Sequence, residues 1–191
     1  MFCVALSLFS GVAYSFEWTA DAILPVGGDE VGYGVRYSRP GYGLGVSCDV
    51  TSHFTEPGWQ IIDAEYQKII LRGDIAYLNW QDKKDYIDWS FTRVPIFLGA
   101  RFFLFHFMQS FYVEGGVEYT FVEGRYLYKG PLYGISSPGY STKHRADALG
   151  ISLGLGWEFL MGQHLVLGIN TRVHITADPF GSQEISLGYR F

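Results

Sequence analysis

Charged side chains recur at even spacings in the second half of the sequence. Arg93 and Arg101 lie eight residues apart, and Glu114 and Glu118 lie four apart. Because alternate residues of a β-strand point to the same face, each pair would share one face of its strand. Acidic and basic groups that meet inside a closed sheet can neutralise each other as ion pairs. We therefore predict an internal charge network composed of Arg36, Asp49, Asp63, Glu65, Arg93, Arg101, Glu114, Glu118, Glu158, Arg172, Glu184 and Arg190.

Residue types that could perform nucleophilic catalysis occur towards the C-terminus. Ser141, His144, Asp147 and His174 would supply a nucleophile, a base and an acid if the fold brought them together. Their spacing matches no catalytic motif, and histidines near strand ends are usually ordinary loop or lumen residues. We predict that the protein is not an enzyme, and a lipid-modifying activity is the third interpretation of the sequence.

Cofactor and metal sites have no support in the sequence. Of the two cysteines, Cys3 lies in the apolar N-terminal segment and Cys48 would remain alone, so no internal disulfide is expected. The sequence contains no CxxC or HExxH motif that could bind zinc. We predict neither a metal site nor a bound cofactor.

The composition narrows the class of protein. The 191 residues are 48% hydrophobic, 18% aromatic and 17% charged, with 24 glycines, and they fit a single domain. After the first dozen residues, no uncharged apolar run reaches the roughly 20 residues that a transmembrane helix needs. The formal net charge of −5 and the lack of a basic cluster argue against nucleic-acid binding. What remains is a sequence in which apolar and polar residues alternate, which is typical of amphipathic β-strands.

The N-terminal segment has the features of an export signal. An apolar stretch from Phe2 to Val12 is followed by Ala13-Tyr14-Ser15, which suits cleavage by a signal peptidase. We predict that residues 1–15 are a signal peptide and that residues 16–191 form the mature domain. The basic residues that usually precede the apolar stretch are missing, so the natural start is expected upstream. A buried first strand is the alternative.

A period of two in hydrophobicity runs through the C-terminal half. Apolar side chains alternate with glycines, serines or single charges in residues 93–104, 111–121, 149–159, 165–175 and 184–191. Each pattern spans about nine residues or more, the length that a tilted strand needs to cross a bilayer. A soluble β-sandwich would also alternate, but its polar face would meet water. Small residues and isolated charges on the polar face favour a membrane barrel with a narrow interior.

The N-terminal half alternates less regularly and leaves the strand count open. Eight strands result if residues 17–38 and 59–80 are each one strand, and we favour this count. Ten result if residues 27–30 and 72–74 are turns. The polar segment 81–84 is expected to be a turn in either case.

The same reasoning assigns side chains to the lipid-facing side. In the second of the long N-terminal strands, the lipid-facing residues are expected to be Ile62, Ala64, Tyr66 and Ile70. Aromatic residues near the expected strand ends fit the interfacial girdles of a membrane barrel. The girdle candidates are Trp80, Tyr86, Trp89, Tyr126, Tyr128 and Trp157.

Three segments resemble the small eight-stranded outer-membrane β-barrel superfamily, which includes OmpA, OmpX and OmpW-like proteins. They are Thr92–Phe102, Ile61–Leu71 and the terminal Ile185–Phe191. The resemblance covers the whole mature chain and implies an all-β, antiparallel, up-and-down transmembrane barrel in a bacterial outer membrane. It also implies that Tyr189 and the terminal Phe191 form the signal that the barrel-assembly machinery recognises.

The expected function follows from the width of such a barrel. Because an eight-stranded barrel is just wide enough for side chains to fill it, we predict an ion-paired, largely plugged lumen. The expected role is structural or surface-exposed and adhesin-like, and the alternative is a narrow OmpW-like channel or transporter of small or hydrophobic solutes. The expected partners are outer-membrane lipid and a surface ligand held by residues 129–145, where Pro, Gly and Ser favour turns. No nucleic-acid partner is expected.

Overall fold

The protein is described by a computed structural model that covers residues 14–26, 41–52, 69–83, 87–104, 111–129, 141–161, 164–177 and 179–191. These residues form eight strands: β1 (Tyr14–Val26), β2 (Tyr42–Ser52), β3 (Ile69–Lys83), β4 (Ile87–Phe103), β5 (Phe111–Tyr128), β6 (Ser141–Met161), β7 (Leu165–Ile175) and β8 (Phe180–Arg190). Within the same ranges, no helix is long and apolar enough to cross a membrane.

Each strand pairs antiparallel with the next, and β8 pairs with β1, so that the sheet closes into a barrel. The closing register places Glu17 opposite Arg190 and Val26 opposite Gly181. The predicted up-and-down barrel with eight strands is therefore confirmed. Residues 72–74, which would have been a turn in a ten-stranded barrel, lie within β3 and pair with both β2 and β4.

The two ends of the barrel differ. The terminal end carries the start of β1 and the end of β8, and the opposite end is called the far end below. At the far end β6 begins at Ser141, but among the described residues its pairing with β7 starts only at Ile151. Residues 120–127 of β5 and 141–148 of β6 pair with each other beyond the last β6–β7 pair, and we call this segment the far-end extension.

The outer surface of the barrel is apolar. Along β6 the outward residues Leu149 and Leu155 are 74% and 54% exposed, whereas the inward residues Ser152 and Glu158 are 0% and 9% exposed. The apolar stretch from Leu149 to Phe159 rises by about 3.3 Å per residue at a tilt of about 40°, which gives a height of about 25 Å. This height equals the lipid-facing band of outer-membrane barrels, so the exposed leucines face lipid rather than water.

Two predictions for β3 are wrong. Ile70 is 1% exposed and points into the lumen, whereas Leu71 is 59% exposed and faces outward. The buried ion pairs of Arg72 hold the even-numbered residues of β3 inside, and a strand's register turns all its side chains together. The second wrong prediction is the turn at 81–84. Strand β3 continues to Lys83, which pairs with Asp88 of β4.

The predicted aromatic girdle is also partly wrong. Trp80, Trp89 and Tyr126 are 2%, 7% and 5% exposed and pack together inside the lumen. Tyr128 is partly buried against the same group, and Tyr86 lies outside the described residues. Trp157 is 46% exposed on the outer surface near the terminal end, which fits a girdle position.

Several other predictions fall on residues outside the described ranges. These are the N-terminal residues 1–13, the segment 27–40 and the segment 53–68. The predicted cleavage after Ser15 would remove the first two residues of β1, and it stays a prediction. The predicted binding loop at 129–145 is shorter than expected, because residues 141–145 belong to β6.

Candidate functional site in the lumen and on the outer rim

Six charged side chains form a closed ring across the middle of the lumen. Going round it, arginines alternate with carboxylates, so that each carboxylate bridges two arginines and each arginine bridges two carboxylates. The ring consists of Arg72, Asp49, Arg101, Glu114, Arg172 and Asp74, from strands β3, β2, β4, β5, β7 and β3. We call it the charge ring.

The first half of the ring lies around Asp49. Its Oδ2 atom is 3.2 Å from Nη1 of Arg72 and 2.9 Å from Nη1 of Arg101. Arg101 in turn donates from Nε to Oε2 of Glu114 at 2.9 Å. All four side chains are at most 3% exposed, so the ion pairs are shielded from solvent.

The second half of the ring lies around Arg172. Its Nη2 atom is 2.7 Å from Oε1 of Glu114 and 2.9 Å from Oδ2 of Asp74. Asp74 closes the ring, since the same oxygen lies 3.4 Å from Nε of Arg72. Asp21 and Glu184 add carboxylates at its edge, 3.5 Å from Arg72 and 3.7 Å from Arg172. The ring therefore links both halves of the barrel at mid-height.

A glycine makes room for one of these contacts. Gly154 of β6 pairs with Glu114 on one side and with Arg172 on the other. A Cβ atom at this position would lie 2.8 Å from Cγ and 2.9 Å from Oε1 of Glu114. Glu114 can therefore reach across β6 to Arg172 only because residue 154 has no side chain.

A second polar group surrounds His174. Its Nδ1 atom lies 2.5 Å from Oε2 of Glu118, and its Nε2 atom lies 2.9 Å from Oγ of Ser182. Ser152 also donates to Glu118. Serine, histidine and carboxylate stand in the order of a catalytic triad, but His174 and Ser182 are 2% and 1% exposed and Phe180 stacks on the imidazole at 4.0 Å. The group is enclosed within the lumen packing.

Aromatic side chains fill the lumen towards the far end. Trp80 packs against Phe91 and Phe180, each with ring centroids 5.9 Å apart. The guanidinium of Arg93, 1% exposed, lies 4.5 Å from the ring of Phe180 and 5.1 Å from that of Phe91. Such cation–π contacts are strongest where water is excluded. The remaining members of this aromatic cluster are Ile23, Ala76, Leu78, Trp89 and Tyr126.

The terminal end of the lumen is held by a third charged group. Nη2 of Arg190 lies 2.7 Å from Oε2 of Glu17 and 2.5 Å from Oε1 of Glu158. Because Arg190 is on β8 and Glu17 is on β1, this contact fastens the seam where the barrel closes. Nη1 of Arg101 lies 3.7 Å from Glu158, which connects the seam to the charge ring.

A cavity of about 10 Å³ lies between the charge ring and the aromatic cluster, beside Arg172, His174 and Glu184. This volume has room for about one water molecule.

The structure can be compared with the twelve residues predicted for the charge network. Arg36, Asp63 and Glu65 lie outside the described residues. Seven of the others lie in the ring, at its edge or at the seam: Asp49, Arg101, Glu114, Glu158, Arg172, Glu184 and Arg190. Glu118 lies apart with His174, and Arg93 lies among aromatic rings.

Sequence reasoning missed four members of the network, namely Glu17, Asp21, Arg72 and Asp74. The segment from Glu17 to Ala22 does alternate polar and apolar residues, so the first two could have been found. Arg72 and Asp74 were missed because Arg-Gly-Asp also suits a turn. Their inward direction depends on pairing with β2 and β4, which local sequence does not contain.

The four candidate catalytic residues do not form one site. Ser141, His144 and Asp147 are exposed on the far-end extension, whereas His174 is buried in the lumen. Asp147 accepts a hydrogen bond from the hydroxyl of Tyr119 at 3.1 Å. The constellation proposed for lipid modification is therefore not assembled.

The far-end extension carries a charged cluster on its outer face. Oε2 of Glu123 lies 2.7 Å from Nζ of Lys143 and 3.1 Å from Nε of Arg145, and Oε1 lies 2.7 Å from Nη2 of Arg125. Glu123 lies beyond the apolar band that spans the membrane. The hydrogen bonds from Lys143 and Arg125 lower the pKa of Glu123 to about 2. We call these four residues the rim cluster.

This sheet is closed, its outer face is apolar and its inner face carries buried ion pairs, which together define a transmembrane β-barrel. The sequence matches the family described as "outer membrane protein beta-barrel domain" over residues 4–191. The chain therefore belongs to that family and is an integral protein of the bacterial outer membrane. A comparison with curated protein sequences found no match.

Solved structures share the fold. The attachment invasion locus protein Ail of Yersinia pestis is 15% identical over 93% of this chain and 99% of its own, with a TM-score of 0.57. Its complex with the heparin analogue sucrose octasulfate is 14% identical over the same shares, with a TM-score of 0.56. A major outer membrane protein of Thermus thermophilus is 13% identical over 92% of this chain and 99% of its own, also at 0.56. At these identities the similarity shows the fold alone.

Proposed function

We propose that this protein is a closed, structural barrel that acts through its exposed far end and not through its lumen. The observation that carries this proposal is the charge ring, in which three arginines and three carboxylates form ion pairs across the barrel. Breaking one buried pair would leave an uncompensated charge, which is strongly unfavourable. A solute path would therefore need to open the ring and the aromatic cluster together.

The far end supports the second half of the proposal. The far-end extension carries residues that lie beyond the lipid-facing band. Next to it, Lys129 forms a 2.6 Å ion pair with Asp88 of β4. Exposed loops on a rigid barrel are where such proteins usually carry recognition. The fold similarity to Ail, solved with a heparin analogue, makes an anionic surface ligand a reasonable probe.

Electrical conductance in planar lipid bilayers tests the closed lumen. The refolded protein should give no steady, ohmic current steps, whereas an open porin inserted under the same conditions should give them. Reproducible steps from the wild-type protein would contradict the proposal and favour the narrow-channel interpretation. A Trp80→Ala/Phe91→Ala variant, which removes two large rings of the aromatic cluster, shows whether any residual leak passes through the lumen.

Adhesion of whole bacteria tests the surface role. Bacteria that display the wild-type protein should bind a surface coated with sulfated polysaccharide better than bacteria that display a variant in which residues 130–140 are replaced by Asn-Gly. Equal surface amounts and equal heat-dependent gel mobility of both proteins serve as the control. Equal adhesion of the two strains would contradict an adhesin-like role for this end.

A further inference from the structure

The rim cluster is unusual because three basic side chains converge on one carboxylate. Arg125, Lys143 and Arg145 surround Glu123, so the cluster carries two positive charges in excess. A structural ion pair needs only one partner. The arrangement therefore leaves donors that one carboxylate cannot saturate, and Arg125 and Arg145 remain 66% and 73% exposed.

The position of the cluster relative to the membrane is fixed by register. Its four residues lie on the outward face of the barrel, in line with the lipid-facing residues Phe121 and Leu149. Arg145 lies four residues beyond Leu149, which is about 10 Å further from the membrane centre at the same tilt. The headgroup layer of a bilayer is about 5–7 Å thick on each side. The long side chains of the cluster can therefore reach headgroup oxygens.

The neighbours of the cluster also suit a lipid boundary. Tyr119 and Phe121 pack edge to face with ring centroids 5.0 Å apart, directly beneath Glu123 on β5. Aromatic rings at this level mark the membrane–water interface in outer-membrane barrels. A ligand held by the rim cluster would thus have its polar part beside the basic groups and its apolar part beside Tyr119, Phe121 and Leu149.

We propose that the rim cluster binds the phosphate groups of a phosphorylated lipid in the outer leaflet. Arginine is well suited to phosphate because its planar guanidinium donates two parallel hydrogen bonds, and Lys143 adds a third point of positive charge. Glu123 holds the three basic side chains in convergence before the lipid arrives. This site does not depend on a closed lumen, so its test is independent of the conductance experiment.

Lipid binding to the full-length barrel in detergent tests the site. The probe is lipid A with both phosphates, and the comparison lipid is lipid A from which the phosphates have been removed; bound lipid is counted by native mass spectrometry. An Arg125→Gln/Lys143→Gln/Arg145→Gln variant should bind the phosphorylated lipid at least tenfold more weakly. Lys129→Gln, which removes one positive charge four residues beyond Arg125 and outside the rim cluster, should bind it as the wild-type protein does.

Three results would overturn the proposal. They are binding by the triple variant within twofold of wild type, equal binding of the two lipids, and a stronger preference of the wild-type cluster for a soluble sulfated oligosaccharide. The last result would assign the cluster to a soluble polyanion and not to lipid. Unchanged heat-dependent gel mobility and circular dichroism show that the triple variant is folded.

Discussion

Glu114 of β5 and Arg172 of β7 meet across β6, with Oε1 of the glutamate 2.8 Å from Nε and 2.7 Å from Nη2 of the arginine. The strand between them contributes Gly154, which is paired with both residues. A contact between strands that are not neighbours requires such a gap in the wall of side chains. The charge ring therefore depends on Gly154 as well as on its six charged residues.

Gly154→Ala should destabilise the barrel. The new Cβ would lie 2.8 Å from Cγ of Glu114, whose carboxylate is held by Arg101 and Arg172 and cannot move without breaking a buried ion pair. Overpacking of this kind costs about 1–3 kcal/mol. Urea-dependent unfolding in lipid vesicles measures the free energy of unfolding.

Gly73→Ala is the matched control for that measurement. Gly73 lies on β3, and a Cβ atom there would have no neighbour within 4 Å. Its free energy of unfolding should change much less than that of Gly154→Ala. An equal loss in both variants would mean that backbone effects, and not the crowding of Glu114, explain the result.

Arg72→Met should be more severe than either glycine variant. It removes the only charge shared by Asp21, Asp49 and Asp74 among the described contacts and opens the charge ring on one side. Removing one partner of a buried ion pair costs about 3–5 kcal/mol, because the other charge stays buried.

The control for this substitution is Arg125→Met on the rim. Its side chain is 66% exposed, so its removal should change the free energy of unfolding by about 0.5 kcal/mol or less. If Arg72→Met unfolds at the same urea concentration as wild type, the charge ring does not stabilise the barrel as described.

Much of the fold was predictable from sequence. In β6 to β8 most lipid-facing residues are apolar and most lumen-facing residues are small, polar or charged, so polarity and side-chain direction alternate together. In β3 they do not, because the lumen near the far end is lined by apolar side chains. The buried Leu78 and Trp80 are as apolar as the outward Tyr77. Side chains of β3 therefore still alternate between lumen and lipid, but the sequence shows no matching alternation of polar and apolar residues.

The misplaced aromatic residues have the same cause. Trp80, Trp89 and Tyr126 lie near strand ends, where both a girdle and a lumen plug would place them. Only the register with neighbouring strands distinguishes the two positions, since one step along the strand moves a side chain from lipid to lumen. The sequence predicted Asp49, Arg101, Glu114 and Arg172 as lumen residues, but it could not predict how they pair in the charge ring, because the six members come from five strands.

The pKa of Glu123 should be measurably low. Since Lys143 and Arg125 stabilise its ionised form, its pKa is lowered from 4.5 to about 2. A lowered pKa means that the stabilisation from this carboxylate is present above about pH 4.5 and is lost as the pH falls through about 2. The carboxyl ¹³C shift of Glu123, followed by NMR against pH, should therefore show no transition between pH 4 and 5.

The titration has an internal control. Lys143→Gln removes the charged hydrogen-bond donor that contributes most to the low pKa of Glu123. The titration midpoint of Glu123 should therefore rise towards 4.5 in this variant. An ordinary midpoint near 4.5 in the wild-type protein would mean that the rim cluster does not assemble.

The assignment of side chains to lipid and to a filled lumen is tested most directly by tryptophan quenching. Two single-tryptophan variants are needed, one that keeps Trp157, 46% exposed, and one that keeps Trp80, 2% exposed. In vesicles with brominated acyl chains, Trp157 fluorescence should be strongly quenched. Trp80 should be quenched neither by bromine nor by aqueous acrylamide. Quenching of Trp80 by acrylamide would show an open lumen, and its quenching by brominated lipid would show that the two faces of β3 are reversed.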